Sequence, residues 1–548
     1  MALAAAPALG IFLLALALRV LYLYQIRELP FFDHHVGDAE AYIGWAQRIA
    51  AGDWLGDRVF YQAPAYPYFL ALVQVVAGEG AWKLHAVQAV VGSLSCVAIY
   101  AAARLLFSPA VGVVAGLMLA LYPPAIFFDG LVQKTGLGLL LTSSLLALLA
   151  LFQRRPTAIS IASCAAILGL LALTRENALV FAPAIPIWIV LRFSEVPARQ
   201  RAAWVAIFGV GLAAVLLPVG LRNQAVGDTF AITTSQLGTN FYIGNNPEAT
   251  GVYAPLVPGR HSPRFEGPDA TRLAEQALGR SLSKGEVSSY WLGRGLDFAR
   301  EQPLDWLALF ARKLLLTWNA LEVPDIEDIQ VTADWSWLLR SLLSIFHFGV
   351  LAPLAAAGMF FAWSRRPNSL LLYWLTAVFT GSVALFYVFA RYRFPLVPLL
   401  LPFAALALVE SVRLLRSRDF EQLAGPLVLF CFSAVIANLS LVEAEPLHAV
   451  AYMNLGGIEL QEGRLAEAER YLERGEELNP EYADLQLHLG LLRLAQGRPS
   501  EAEAHLLRTL QLEPEDPRAR RALAITRARR EQARQGPGAQ EDAPGTPR

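Results

Sequence analysis

Gly37-Asp38-Ala39-Glu40-Ala41-Tyr42 sets a carboxylate just after the first apolar run of this chain. A carboxylate at a bilayer face is costly to desolvate and persists mainly where it does work. Turns assigned below to the same side carry Asp129, Lys134, Arg175, Arg391 and Arg393. One acid able to take a proton, with several cations able to hold an anion, suits chemistry on a charged, lipid-anchored substrate. Asp38 and Tyr42, four apart, share a helix face; Glu40, two along, does not. Each residue also has a plainer reading. Asp38 would cap the helix running to Ala50, with Gly52 past its end, and Asp129 would be a turn residue. Lys134, Arg391 and Arg393 would reach lipid headgroups, and Arg175 would pair with Glu176. Arg19, near the outer end of the first run, is expected to answer one of the carboxylates. His34 and His35 lie beside the acid without metal-ligand spacing.

The elements that must position these groups are membrane spans. Hydrophobic residues make up 55% of the 548 and charged residues 17%, against roughly 25% charged in soluble domains. The chain therefore reads as an integral membrane protein. Its net charge of −1 makes no electrostatic case for nucleic acid. Cys96, Cys164 and Cys431 sit in apolar runs without metal spacing. Residues 2–24, which lack a basic leader before Arg19, read as a retained first span rather than a removed signal. Further runs cover 82–107, 109–127, 133–152, 157–173, 178–193, 201–221, 335–363, 368–389, 394–412 and 423–441. This predicts an all-α polytopic protein of about eleven spans. Arg104, Arg154-Arg155, Arg192 with Arg199 and Arg201, Arg365-Arg366, and Arg413 with Arg416 and Arg418 fall on alternate connections. Cytoplasmic loops collect such residues, so the N-terminus is expected inside and the C-terminus outside.

Two loops on the exterior side are long. In the first, residues 25–81, the stretch 63–78 is apolar but broken by Pro64 and Pro67, which fits an interfacial or re-entrant helix. The second, residues 223–334, holds a Gly244-Asn245-Asn246-Pro247 turn, an irregular stretch 253–267, and a Ser283-Lys284-Gly285-Glu286 capping box opening a helix toward Arg300. Pro303 opens another helix, with Trp306, Phe310, Leu314 and Trp318, whose Arg312-Lys313 pair suggests the headgroup region. This loop is either an ordered cap over a site or a connector.

From Glu443 the chain repeats itself. Leu455-Gly456 matches Leu489-Gly490, Gly463 matches Gly497, Ala468 matches Ala502 and Pro480 matches Pro514, each 34 residues apart. That is the tetratricopeptide period, so residues 443–534 are expected to form a short α-solenoid of two repeats and a solvating helix. Such an array docks a peptide or protein partner, or only caps the molecule. Residues 535–548 have the composition of a disordered tail.

Together these motifs resemble a family. Gly37-Asp38 with Tyr42 and Arg48-Ile49-Ala50-Ala51-Gly52, followed by Phe60-Tyr61-Gln62-Ala63-Pro64-Ala65-Tyr66-Pro67-Tyr68, is similar to the first exterior loop of GT-C membrane glycosyltransferases. Protein O-mannosyltransferases and lipid A aminoarabinose transferases belong to that branch. Tyr122-Pro123-Pro124, Leu173-Thr174-Arg175-Glu176-Asn177, Arg222-Asn223, the Gly244 turn and Arg391-Tyr392-Arg393-Phe394-Pro395-Leu396-Val397-Pro398 follow in order. The resemblance implies a GT-C-like domain over residues 1–442 on the periplasmic side of a bacterial cytoplasmic membrane. It implies transfer of a sugar from a polyprenyl-phosphate donor to a hydroxyl of a lipid, glycan or protein acceptor. Asp38 maps onto the family's catalytic aspartate and Tyr42 onto its tyrosine. Arg391, Arg393, Lys134 and Arg175 would hold the phosphate, and Asp129 and Glu40 would form a second acidic site. Where relatives carry Asp-Glu, this chain has Asp38-Ala39. No cofactor is specified, though a divalent metal on Asp38 and Asp129 would be compatible. A lipid transporter or flippase, a polysaccharide ligase and a non-catalytic assembly scaffold are the alternatives.

Overall fold

The computed structural model describes residues 2–227, 229–257, 263–364 and 366–534 and is helical, with no strand among the described residues. The expected disordered tail, Arg365 and residues 258–262 of the irregular stretch lie outside the described residues. The chain divides into a membrane unit, built from residues up to 442, and a repeat unit from 443 onward that also takes in residues 324–331 of the long loop.

The first part of the membrane unit holds α1 (Ala2–Ile26), α2 (Asp38–Ala50), α3 (Ala65–Ala77), α4 (Ala81–Leu106), α5 (Pro109–Ala120), α6 (Pro123–Asp129), α7 (Thr135–Arg154), α8 (Ala158–Ala172), α9 (Phe181–Arg192) and α10 (Ala198–Gly227). The long loop holds α11 (Leu237–Gly244), α12 (Pro263–Leu278), α13 (Lys284–Glu301), α14 (Pro303–Thr317) and α15 (Ile329–Thr332). Then come α16 (Trp337–Leu343), α17 (Phe348–Trp363), α18 (Arg366–Ala384), α19 (Ala390–Arg393), α20 (Val397–Ser417) and α21 (Glu421–Ala437).

A helix or helix pair occupies every expected run, but the lengths differ. Among the described residues, five helices are long and apolar enough to cross a membrane, and the number rises to seven if the two bent pairs, α5 with α6 and α16 with α17, each count as one span. Helices α8, α9 and α21 have 15, 12 and 17 residues. Part of the expected 178–193 run is spent on a tight 3₁₀ turn over Glu176–Val180, which shortens α9. Leu427, Val428, Phe432 and Val435 on α21, and Val210 and Leu221 on α10, are exposed and make an apolar outer face suited to lipid.

The 55° bend between α5 and α6 falls at Tyr122-Pro123-Pro124. Proline removes a helical donor and disfavours helical geometry in the residue before it; Tyr122 is extended, with ψ 110. The restarted helix ends on Asp129, which meets Arg19 of α1 at 2.7 Å, both buried. Arg19 therefore answers a carboxylate, as expected.

The long loop is pinned. Asn245 Nδ2 donates to the Phe241 and Leu385 carbonyls, and its Oδ1 accepts from Trp306 Nε1 and Lys313 Nζ at 2.9 and 3.0 Å. Lys313 is fully buried and also donates to the Gly244 carbonyl, so it faces inward instead of reaching headgroups. A Cβ on Gly244 would lie 2.3 Å from the Phe386 carbonyl oxygen; only glycine permits that approach. The Ser283–Glu286 capping box and the Pro303 helix start form as the sequence predicts.

The repeat unit is two helical hairpins, α22 (Glu445–Gln461) with α23 (Leu465–Leu478) and α24 (Ala483–Ala495) with α25 (Pro499–Leu512), followed by α26 (Pro517–Arg534). Gly463 and Gly497 turn the hairpins at φ 75 and 73. Gly456 and Gly490 allow close packing, since a Cβ would come 2.5 Å from Leu472 and 2.8 Å from Leu506. Glu459 and Arg493, standing where these repeats usually carry aromatics, form ion pairs with Arg464 and with Glu469 and Glu473. Asp328 joins this unit by bonding His448 at 2.5 Å.

Candidate active site

Gly37 adopts φ +61 before α2, and Asp38 is the first helical residue. Gly37 occupies the capping position and no side chain caps the helix. The buried Asp38 carboxylate has other partners: Arg391 Nη1 donates to Oδ2 at 2.7 Å and Gln62 Nε2 donates to Oδ1 at 2.5 Å. The acid is thus aimed into the protein rather than spent on its own helix. Tyr42 lies buried on the same face, its ring edge-on to Tyr66 at 5.3 Å. Tyr66 donates to Gln88 at 2.6 Å, and Gln88 donates to the Asp129 and Leu131 carbonyls, tying α2 and α3 to α4 and the turn before α7.

Two further cations, Lys134 and Arg175, lie near Arg391. Lys134 occupies the capping position just before α7 and lies 3.7 Å from Glu176. Arg175 donates from Nη2 to Thr135 Oγ1 at 2.6 Å, while its buried Nε has no hydrogen-bond partner. The guanidiniums of Arg175 and Arg391 lie 5.7 and 5.2 Å from the Tyr392 ring. The fields of Lys134, Arg175 and Arg391 act on one another and on Asp38 or Glu176. Lys134, Arg175 and Arg391 lie close enough to act on one another beside the start of a helix, a setting that favours an anion.

The electrostatics follow from burial and crowding. Burial pushes the Asp38 carboxyl up, but Arg391, then Lys134 and the Gln62 amide, outweigh it and hold the group below the usual carboxylate range. Burial lowers Arg175 to about 10, with Arg391 adding repulsion. Burial also lowers Lys134, against the pull of Glu176. Cations that disfavour one another in this way gain most from an incoming anion.

The other loop motifs act as supports. Arg222 donates to the Leu55 and Arg58 carbonyls, and Asn223 accepts from the Phe60 amide, fixing the irregular run that ends at Gln62. Val388 N donates to the Gly251 carbonyl and Tyr387 to Asn240, so the long loop holds the segment bearing Arg391.

Residues 61–220 match the family model of dolichyl-phosphate-mannose-protein mannosyltransferases, and residues 459–525 match a tetratricopeptide repeat model. Part of the membrane unit is thus similar to that mannosyltransferase family, and part of the repeat unit is similar to tetratricopeptide repeats. The first match contains Gln62, Lys134 and Arg175; Asp38 and Arg391 lie outside it. Among solved structures this chain is similar to the Archaeoglobus fulgidus oligosaccharyltransferase complex with Zn and sulfate, at 14% identity over 85% of this chain and 56% of that chain, with a TM-score of 0.46. It is similar to Archaeoglobus fulgidus AglB with an inhibitory peptide and a dolichol-phosphate, at 14% identity over 85% and 59%, TM-score 0.44. It is also similar to ArnT from Cupriavidus metallidurans bound to undecaprenyl phosphate, at 16% identity over 96% and 88%, TM-score 0.40. The chain spans less than three fifths of the length of the two archaeal chains. No curated protein matches it significantly.

Within this candidate site, three sequence expectations need correction. Arg393 does not join the cations: it pairs with Glu322 at 3.0 Å, donates to the Asn319 carbonyl and stacks on Phe348 at 4.1 Å. Glu40 is exposed on the opposite face of α2 from the buried Asp38. Asp129 is held by Arg19, so neither acid forms a second site with Asp38. Nor do Asp38 and Asp129 fit as joint ligands of a divalent ion, because each carboxylate already faces an arginine. Glu176 contacts Lys134, while Arg175 turns to Thr135. Gln62, Glu322 and Tyr392 are the functional neighbours that sequence reading did not single out. Only the quoted motifs containing Gln62 and Tyr392 carried a signal.

Asp129→Asn tests the structural role. It should cost about 3 kcal/mol or more, because it leaves Arg19 buried without its partner charge. Thermal unfolding of the purified protein would show this loss, while turnover per folded molecule stays unchanged. Intact stability with lost turnover would return Asp129 to the active site.

Proposed function

We propose that the chain transfers a sugar from a polyprenyl-phosphate donor to a hydroxyl of a lipid, glycan or protein acceptor on the exterior face of the bacterial cytoplasmic membrane. The observation that carries this reading is the buried Asp38 held by Arg391 inside the Lys134, Arg175 and Arg391 cluster. The mannosyltransferase match over residues 61–220 supports the donor class.

In this mechanism the donor phosphate enters the cation cluster and shares Arg391 with Asp38. Arg175 offers its unpartnered Nε and Lys134 a point charge. Drawing Arg391 toward the phosphate releases the Asp38 carboxylate, which becomes more basic and takes the acceptor hydroxyl proton. The acceptor oxygen bonds to the anomeric carbon as the bond from that carbon to the phosphate oxygen breaks. The electron pair leaves on the polyprenyl phosphate, where the cations stabilise it. One carboxylate and one displacement imply inversion at the anomeric carbon. Tyr42 and Tyr66 pack behind Asp38 and keep bulk water from the base. Mass identification of the lipid that copurifies with the protein tests this reading.

A further inference from the structure

Helices α7 and α9 each lead away from the candidate active site to a second concentration of charge. Lys134 stands just before α7, and Arg175 just before the 3₁₀ turn that leads into α9. At the far ends lie Arg154 and Arg155, where α7 stops, and Arg192, where α9 stops. With 20 residues, α7 sets its two ends about 30 Å apart. Arg199 and Arg201 join the far end from the start of α10. Phe152, Trp188, Phe193 and Trp204 pack these three helix ends together, with ring centroids 5.3 to 6.2 Å apart.

This end carries five arginines, and Glu195 is the single acid on its two connections. Among the described residues none of the five pairs with a carboxylate. Arg154, Arg155 and Arg199 are exposed and solvated, as basic residues of cytoplasmic loops commonly are. Arg192 and Arg201 differ: both are half-buried, and the Nε of each is shut away from solvent without a hydrogen-bond partner. Arg201 donates from Nη1 to the Val190 carbonyl at 3.0 Å, which anchors it on the last turn of α9, and Arg192 lies 5.6 Å from the Phe193 ring. Neither contact supplies a negative charge. Guanidiniums that have lost water without gaining a counter-charge are costly, and an anion relieves that cost. The neighbouring wall selects the anion. Leu151 on α7 and Ile187, Val190 and Leu191 on α9 are exposed within two turns of Arg154 and Arg192. A free phosphate makes no use of such a wall, whereas a phospholipid lays its chains on it.

We propose that the joined ends of α7, α9 and α10 form a site for an anionic phospholipid, with Arg192 and Arg201 holding the headgroup phosphate and the apolar wall of α7 and α9 taking an acyl chain. Basic pockets between helices at the cytoplasmic surface recognise anionic headgroups in this way, and the arginine pattern of the sequence assigns this end to that surface. The site is separate from the Lys134, Arg175 and Arg391 cluster and does not rest on the transferase reading. A lipid held there would tie together helices whose opposite ends carry Lys134 and Arg175.

The test is native mass spectrometry of the full chain released from nanodiscs that hold phosphatidylglycerol and phosphatidylcholine in equal amounts. The wild type should emerge with phosphatidylglycerol attached, and the double variant Arg192→Gln, Arg201→Gln should retain about tenfold less or lower still. Arg155→Gln with Arg199→Gln removes the same charge from exposed positions and should keep the lipid. A wild type without phosphatidylglycerol, equal retention of phosphatidylcholine, or equal loss in the two double variants would overturn the assignment, the last reducing it to diffuse surface charge. Displacement of the lipid by inorganic phosphate, beyond that caused by sodium chloride at equal ionic strength, would make this a site for free phosphate instead. Arg192→Gln alone guards against misfolding, because that side chain makes no hydrogen bond among the described residues. Undiminished phosphatidylglycerol in that variant would also contradict the proposal. Undecaprenyl phosphate binding should be the same in every variant; its loss only where Arg192 and Arg201 are changed would overturn the separation of the two sites.

Discussion

Asp38→Asn is expected to lower the transfer rate about 10²- to 10⁴-fold, the range that a positioned general base supplies. The amide keeps the shape and can still face Gln62 and Arg391, but it cannot accept the proton. The same variant should bind undecaprenyl phosphate more tightly than the wild type, because Asp38 no longer competes for Arg391. Loss of rate with gain of donor affinity separates a base from a structural carboxylate, whose removal would weaken both. The pH dependence gives a second signature. Arg391 holds Asp38 below the usual carboxylate range in the free protein, so kcat/KM should persist above that lowered value and fall only as pH drops through it. In the donor complex, Arg391 is shared with phosphate, so the acidic limb of kcat should lie at higher pH than that of kcat/KM.

Lys134→Met and Arg175→Met should each weaken undecaprenyl phosphate binding about 30-fold or more, corresponding to about 2 kcal/mol for a lost buried charge contact. Arg175 carries the sharper expectation, since its buried Nε has no hydrogen-bond partner in the protein and Arg391 repels it. Removing it relieves that repulsion, so the variant should unfold no more readily while binding its ligand less well. Equilibrium binding and thermal unfolding on one preparation check both halves. Undiminished affinity in both variants would remove these residues from the phosphate site.

The working face of α2 was legible because helical spacing puts Asp38 and Tyr42 together and turns Glu40 away. The same spacing explains Arg391 and Arg393. They are two apart on the four-residue α19, so one meets Asp38 while the other is carried to Glu322. Charge type drew both into one expected cluster; backbone geometry separates them. Arg19 could be anticipated as partner to some carboxylate, since a buried arginine needs one, but the choice of Asp129 depends on the proline bend at Tyr122. Gln62 gave no signal of its own. Its role comes from a loop fixed by Arg222 and Asn223, more than 150 residues away, and single-sequence patterns do not encode such contacts. The 34-residue repeat was legible in full because its glycines mark both the hairpin turns and the close helix contacts.

The central claim is that the cation cluster around Asp38 receives a polyprenyl-phosphate sugar. Protein purified from bacterial membranes, extracted with organic solvent and analysed by mass spectrometry, tests it most directly. The account predicts a polyprenyl phosphate or its glycosyl ester in extracts of the wild type and of Asp38→Asn, depleted in Arg175→Met. Extracts without any polyprenyl phosphate, or with equal amounts from Arg175→Met, would contradict it.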